Sequence, residues 1–168
     1  MRRQINQQEL EFYYLQTGEA VWQLQYVEEA LCKFYIIFCI RFNTNGVTRE
    51  NAEYKLSQIN KKTLGQLIGL LDSVGNVPNS FMIKLRKFNN ERKWLIHNSL
   101  RENGNDLYTE QGRNDFAIKV VSFNRMAKEI HDQSADIIMK LVTRSGYATE
   151  QEIIQMALKE INDHKGNV

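Results

Sequence analysis

Proline occurs once in the 168 residues, at Pro78, and cysteine twice, at Cys32 and Cys39. The cysteines sit seven positions apart, which puts them on one side of a helix, two turns apart and too far to bridge to each other. No second Cys/His cluster stands nearby to build a zinc site, so they read as reduced, buried thiols and no metal site is expected. Long apolar runs are also missing. The longest, "FYIIFCI" from Phe34 to Ile40, is far too short to span a bilayer. The Met-Arg-Arg start leads into polar "QINQQELE", so no signal peptide is read there. These absences predict a soluble, cytoplasmic protein without membrane contact. Charge of one sign is scarce too: Lys+Arg is 22 against Asp+Glu 20, a net +2. That is no global polyanion-binding signature, and any positive surface for nucleic acid must be local. No Gly-rich phosphate loop, Ser/His/Asp arrangement or pair of catalytic carboxylates stands out.

Strand signals are scarce as well. The "NTNG" at Asn43 to Gly46 links two stretches of helical period rather than two alternating ones. What remains is helix, in one domain over residues 1–168, with short connections that imply an up-down bundle of about five helices. The first runs from about Gln7 to Phe42, with Val21, Leu24, Val27, Leu31, Phe34, Tyr35 and Phe38 as its apolar stripe. The second spans about 48–73. The third follows the Pro78 linker over about 79–102, and the fourth covers about 114–144. The fifth starts at Thr149, a good N-cap with Glu152 three residues on, and reaches about His164.

The third helix holds the most informative stretch, "ERKWLIHNSL". At roughly 100° per residue from Phe81, the residues Phe81, Leu85, Phe88, Leu95 and Ile96 share one arc of roughly 100°, the core face. Arg92 falls near its centre. A guanidinium there is costly unless it is paired or opens to a cavity. The plain alternative is a snorkelling side chain with its head at the rim. His97 falls on the flank, in a polar ridge with Arg86, Asn90, Lys93 and Arg101. On a straight helix the Arg92 and His97 Cβ atoms would be about 10 Å apart. An arginine binds phosphate through two parallel hydrogen bonds, and a histidine exchanges protons near neutral pH, so the pair suits phosphate chemistry.

The run "LRKFNNERKWLIHNSL" resembles the signature of the HEPN superfamily (higher eukaryotes and prokaryotes nucleotide-binding). Its hallmark is an arginine, four to six variable residues and a histidine on a bundle of four or five helices. Arg92 and His97 match it with a four-residue spacer. "GEAVWQLQYVEEAL" and "TLGQLIGLL" look like the first two helices of small prokaryotic members. The resemblance implies a HEPN-like fold and a metal-independent, cofactor-free endoribonuclease of toxin or defence type. Two Arg/His pairs would meet across a homodimer cleft, and the ribose 2′-OH would attack the neighbouring phosphate to leave a 2′,3′-cyclic end. Arg92 and His97 would be catalytic. Lys93, Glu28 and Asn98 would support them, and Arg86, Asn90 and Arg101 would bind phosphate or RNA. A protein antitoxin or regulator is the further partner implied. Two positions depart from the pattern. Lys93 stands where many active members have asparagine, and Ser99 where toxin members carry a tyrosine two residues after the histidine. The alternative is a non-catalytic helical module that binds RNA, nucleotide or a protein through the same cleft.

Glu28 lies in the apolar arc of the first helix and is a candidate partner for Arg92. His131, flanking the core face of the fourth helix beside Asn124, reads as structural, and His164 as solvated. Trp22, Trp94 and the tyrosines are able to stack bases, although aromatics at helical spacing usually belong to the core.

Overall fold

The structure, a computed structural model, describes residues 3–144 and, beyond them, 146, 149, 151, 152 and 155. Among the described residues every regular element is helical. Helix α1, Gln7–Phe42, has 36 residues, which is about 54 Å of helix. Asn6 caps it: its Oδ1 accepts the Glu9 N–H at 2.9 Å, and the Glu9 carboxylate accepts the Asn6 N–H at 3.0 Å. Asn43, at φ 48°, closes the other end in the left-handed conformation asparagine tolerates.

The expected second helix is two helices, α2 (Ala52–Ile59) and α3 (Leu64–Val74). Thr63 and Gln66 form a capping box that starts α3 afresh, with Gln66 Oε1 accepting the Thr63 N–H at 2.9 Å. The expected third helix is also divided. Helix α4, Asn79–Lys93, passes into a π turn, Trp94–Asn98, and then a short helix α5, Ser99–Asn103. A 3₁₀ turn at Asp106–Tyr108 leads into α6, Glu110–Arg144, which starts four residues earlier than about 114. At the fifth helix, Thr149 and Glu152 exchange the expected capping bonds, Thr149 N–H to Glu152 Oε2 at 2.7 Å and Glu152 N–H to Thr149 Oγ1 at 3.3 Å. Its continuation lies outside the described residues.

Cross-contacts fix the directions. Glu9 pairs with Arg113 at 3.5 Å and Glu19 with Lys128 at 3.4 Å, so α1 and α6 run parallel, side by side. Phe88 stacks on Phe123 at 4.6 Å between ring centres while Lys84 reaches Glu129, so α4 runs antiparallel to α6. Gly65 lies against Asn89 and Asp72 pairs with Arg86, so α3 is antiparallel to α4. The result is an up-down bundle. Its core is built on the fully buried Phe34, Phe38, Phe81, Phe88 and Phe123 with leucines between them. Cys32 and Cys39 are buried free thiols, and burial pushes Cys32 up to about 11. No helix among the described residues is long and apolar enough to cross a membrane.

The start of α1 is tied down by charge. Arg3 hydrogen-bonds the Glu9 carboxylate, and with the Asn6 N–H it lowers that carboxyl to about 2 from 4.5. A carboxyl depressed in the folded state contributes stability that is present above its unfolded value and lost as pH falls through the folded one. The first turn of α1 should therefore loosen as pH drops from about 4.5 toward about 2. Amide hydrogen exchange there should show it, and Glu9→Gln should remove that pH dependence. An identical acid response in the variant would rule out this clamp.

Candidate active site

Helix α4 brings Arg92 to the level where α3 begins. Arg92 is half-buried, and its Nε is buried with no hydrogen-bond partner among the described residues. Its position in the apolar arc thus matches an unusual environment. The neighbouring Asn89 side chain lies beside Gly65, at the N-terminal end of α3, and its Oδ1 is likewise buried and unpartnered. Sequence reasoning passed over Asn89, because an asparagine on a helix flank carries no signal until the facing helix is placed.

Glu28, proposed as Arg92's partner, has a different first partner. It is half-buried, and its Oε1 accepts the N–H of Leu64, the first residue of α3, at 3.2 Å. A carboxylate there also complements the positive end of the α3 dipole. Burial raises the Glu28 carboxyl above its ordinary range, opposed by the Leu64 N–H and by the charge of Arg92. Arg92 therefore acts on Glu28 through space, without an ion pair among the described residues.

The π turn changes the geometry of the motif. On an unbroken α-helix, residues five apart diverge by about 140°. A π turn bonds i→i+5, so each residue in it turns through a smaller angle. His97 is therefore swung toward the side of Arg92, relative to a straight helix. The turn also corrects the core register. Trp94 and Leu95 are buried, at 6 % and 3 % exposed, whereas Ile96, expected on the core arc, is 44 % exposed. His97 itself is exposed and has no hydrogen-bond partner among the described residues.

The other ridge residues are all at the surface, but two are engaged. Arg86 Nη2 donates to Asp72 Oδ1 at 2.8 Å. Arg101 Nη2 donates to Oδ1 of the half-buried Asn98 at 2.9 Å. Asn90 and Lys93 are exposed, and Lys93 has no acidic partner among the described residues. The ridge thus offers Lys93 and His97 unengaged, with Arg101 held close by. Of the remaining candidates, Trp22 is exposed on α1 and Trp94 is buried. His131, expected to be structural, is exposed with Asp132 Oδ1 at 3.5 Å. Asn124 beside it is buried, with both amide atoms unpartnered among the described residues. His164 lies outside the described residues. Among the described residues no three or more His, Cys, Asp or Glu side chains group as a metal site would need.

Comparison of the chain with family models, with curated proteins and with solved structures finds no match in any of the three.

Proposed function

We propose that this chain is an endoribonuclease of the HEPN type, of toxin or defence character, working as a homodimer. The observation that carries this reading is Arg92. It is a guanidinium set in the core-facing arc with a buried, unpartnered Nε, a few residues before an exposed histidine on a widened turn. A buried donor left unpaired costs about 1–3 kcal/mol, which a purely structural position would shed by substitution. The Nη groups of the same guanidinium carry no hydrogen bond among the described residues, and an anionic substrate oxygen between the two side chains supplies them with an acceptor. In the reaction, His97 takes the proton of the ribose 2′-OH as that oxygen attacks the adjacent phosphate. The P–O5′ bond breaks as the P–O2′ bond forms, leaving a 2′,3′-cyclic phosphate. Protonation of the departing 5′-oxygen falls to a second acid, the histidine of the partner copy. Arg92 neutralises the charge that gathers on the phosphate oxygens, and Lys93 and Arg101 hold the flanking backbone. A protein antitoxin or regulator is the partner that a toxin of this kind requires.

The reading is tested by incubating RNA with the protein in EDTA and analysing the product ends. Cyclic 2′,3′ ends, and resistance of the same RNA with a 2′-deoxy residue at the cut site, are expected. Binding without cutting would favour the non-catalytic module, the reading that Lys93, in place of asparagine, supports.

The dimer has its own test. Leu100 is 80 % exposed and Ile96 44 %, two large apolar side chains one turn apart beside His97. We place them in the two-fold interface that joins the two Arg/His pairs. Leu100→Glu puts like charges across that axis and should weaken dimerisation about 10–100-fold, read by sedimentation. Unchanged self-association would remove Leu100 from the interface.

A further inference from the structure

The π turn that carries His97 has its own fastening. On an unbroken helix counted from Phe81, Trp94 points away from the core arc, yet it is buried. What buries it is the chain folding back after α5. The Trp94 ring meets Phe116 at 5.9 Å between centres, and Lys119 Nζ sits 3.7 Å from the Trp94 ring centre. The indole Nε1–H donates to Asn103 Oδ1 at 3.2 Å, and Asn103 Nδ2 donates to Asp106 Oδ2 at 3.3 Å. Asp106 in turn is pressed under Gly112, where an added Cβ would lie 2.2 Å from its carbonyl oxygen. A chain of contacts therefore runs from the turn, across α5, to the start of α6. A second bond works inside the turn. The Ser99 hydroxyl donates to the Leu95 carbonyl at 2.7 Å, in a stretch where i→i+5 bonding upsets the ordinary pairing of carbonyls.

His97 lies between these two fastenings and has no hydrogen bond of its own among the described residues. With no hydrogen bond to fix its ring, the backbone of the turn sets the direction in which the side chain leaves the helix. We propose that Trp94 and Asn103 are positioning residues: the indole–amide bond between them holds the widened turn and thereby aims His97. The consequence for cleavage rests on the ribonuclease reading; the aiming itself does not. If the bond is lost, the turn is free to relax toward ordinary α-helical pairing, which rotates His97 away from Arg92. Displacement of a reacting group by about 1 Å costs about 10²-fold in rate.

The test uses the full chain and two variants. Trp94→Phe keeps a ring against Phe116 and under Lys119 and deletes one N–H. Asn103→Leu leaves every aromatic ring in place and deletes the acceptor, which separates the effect from a change in ring currents. The imidazole carbon–proton resonances of the three histidines are recorded for each, with His131 as the internal control. Both variants should move the His97 resonance and leave that of His131 in place. In cleavage assays both should lower kcat about 10²-fold with little change in KM, since phosphate-binding groups are untouched. A His97 resonance that stays put in Asn103→Leu would overturn the proposal. A wild-type protein that cuts no RNA would overturn the ribonuclease reading instead, and the resonance comparison would still decide this one.

Discussion

His97→Ala should reduce RNA cleavage by about 10²–10⁴-fold, the usual contribution of a general acid–base group. It should leave the thermal unfolding transition where it was. The two halves of this expectation come from different observations. The loss follows from the proposed chemistry, in which His97 is the group that takes the 2′-OH proton. The unchanged stability follows from the exposure of His97 and from its lack of a hydrogen-bond partner among the described residues. Surface substitutions of that kind usually change stability by no more than about 0.5 kcal/mol. The measurement is a denaturing gel with EDTA present, beside a melting curve of the same preparations. Equal cutting by wild type and variant would assign the activity to a contaminating nuclease. A large drop in melting temperature would show that His97 has a structural role after all.

The positions of Arg92 and His97 on their helix could be read from the sequence because the first half of α4 is regular. Phe81, Leu85 and Phe88 recur at steps of four and three and are all fully buried, so the wheel places Arg92 correctly in the arc. Beyond Lys93 it holds for Leu95, which is buried, and fails for Trp94, buried off the arc, and for Ile96, exposed on it. Three apolar residues in a row, Trp94, Leu95 and Ile96, do not fit one helical stripe. The choice among them was made by contacts from α5 and α6 that local periodicity does not contain. The same limit explains Glu28. Its place in the α1 stripe marked it as a buried carboxylate in need of a partner. That the partner is the Leu64 N–H depends on where α3 begins, and α3 begins at a Thr63–Gln66 capping box inside what read as one continuous helix. The fold class was legible because long amphipathic stretches dominate it. The site was legible only as far as one helix could carry it.

Arg92→Leu should abolish cleavage and, unlike most substitutions near a core, should not destabilise the protein. The activity loss follows from removal of the only group proposed to neutralise the phosphate; Arg92→Lys keeps the charge, loses the two-pronged fork, and should also lose most activity. The stability argument turns on whether Arg92 has a partner. Breaking a buried ion pair costs about 3–5 kcal/mol. Arg92 is instead half-buried with an Nε unpartnered among the described residues, and Glu28 has its own bond to Leu64. A leucine keeps the packed stem and removes the unpaired donor, so stability should stay level or rise by about 1 kcal/mol. The pH dependence sharpens this. The Glu28 carboxyl is raised by burial, so its contribution to stability is full below the ordinary carboxylate range and is lost as pH rises through its folded value. Arg92's charge holds that value down; without it the value rises further, and the Glu28 anion above it loses a nearby cation. The advantage of Arg92→Leu should therefore be larger near pH 4, below the raised Glu28 carboxyl, than near pH 8. Denaturant unfolding of wild type and variant at the two pH values measures it. A loss of about 3 kcal/mol or more at the higher pH, absent at the lower, would mean that Arg92 and Glu28 act as a desolvated ion pair.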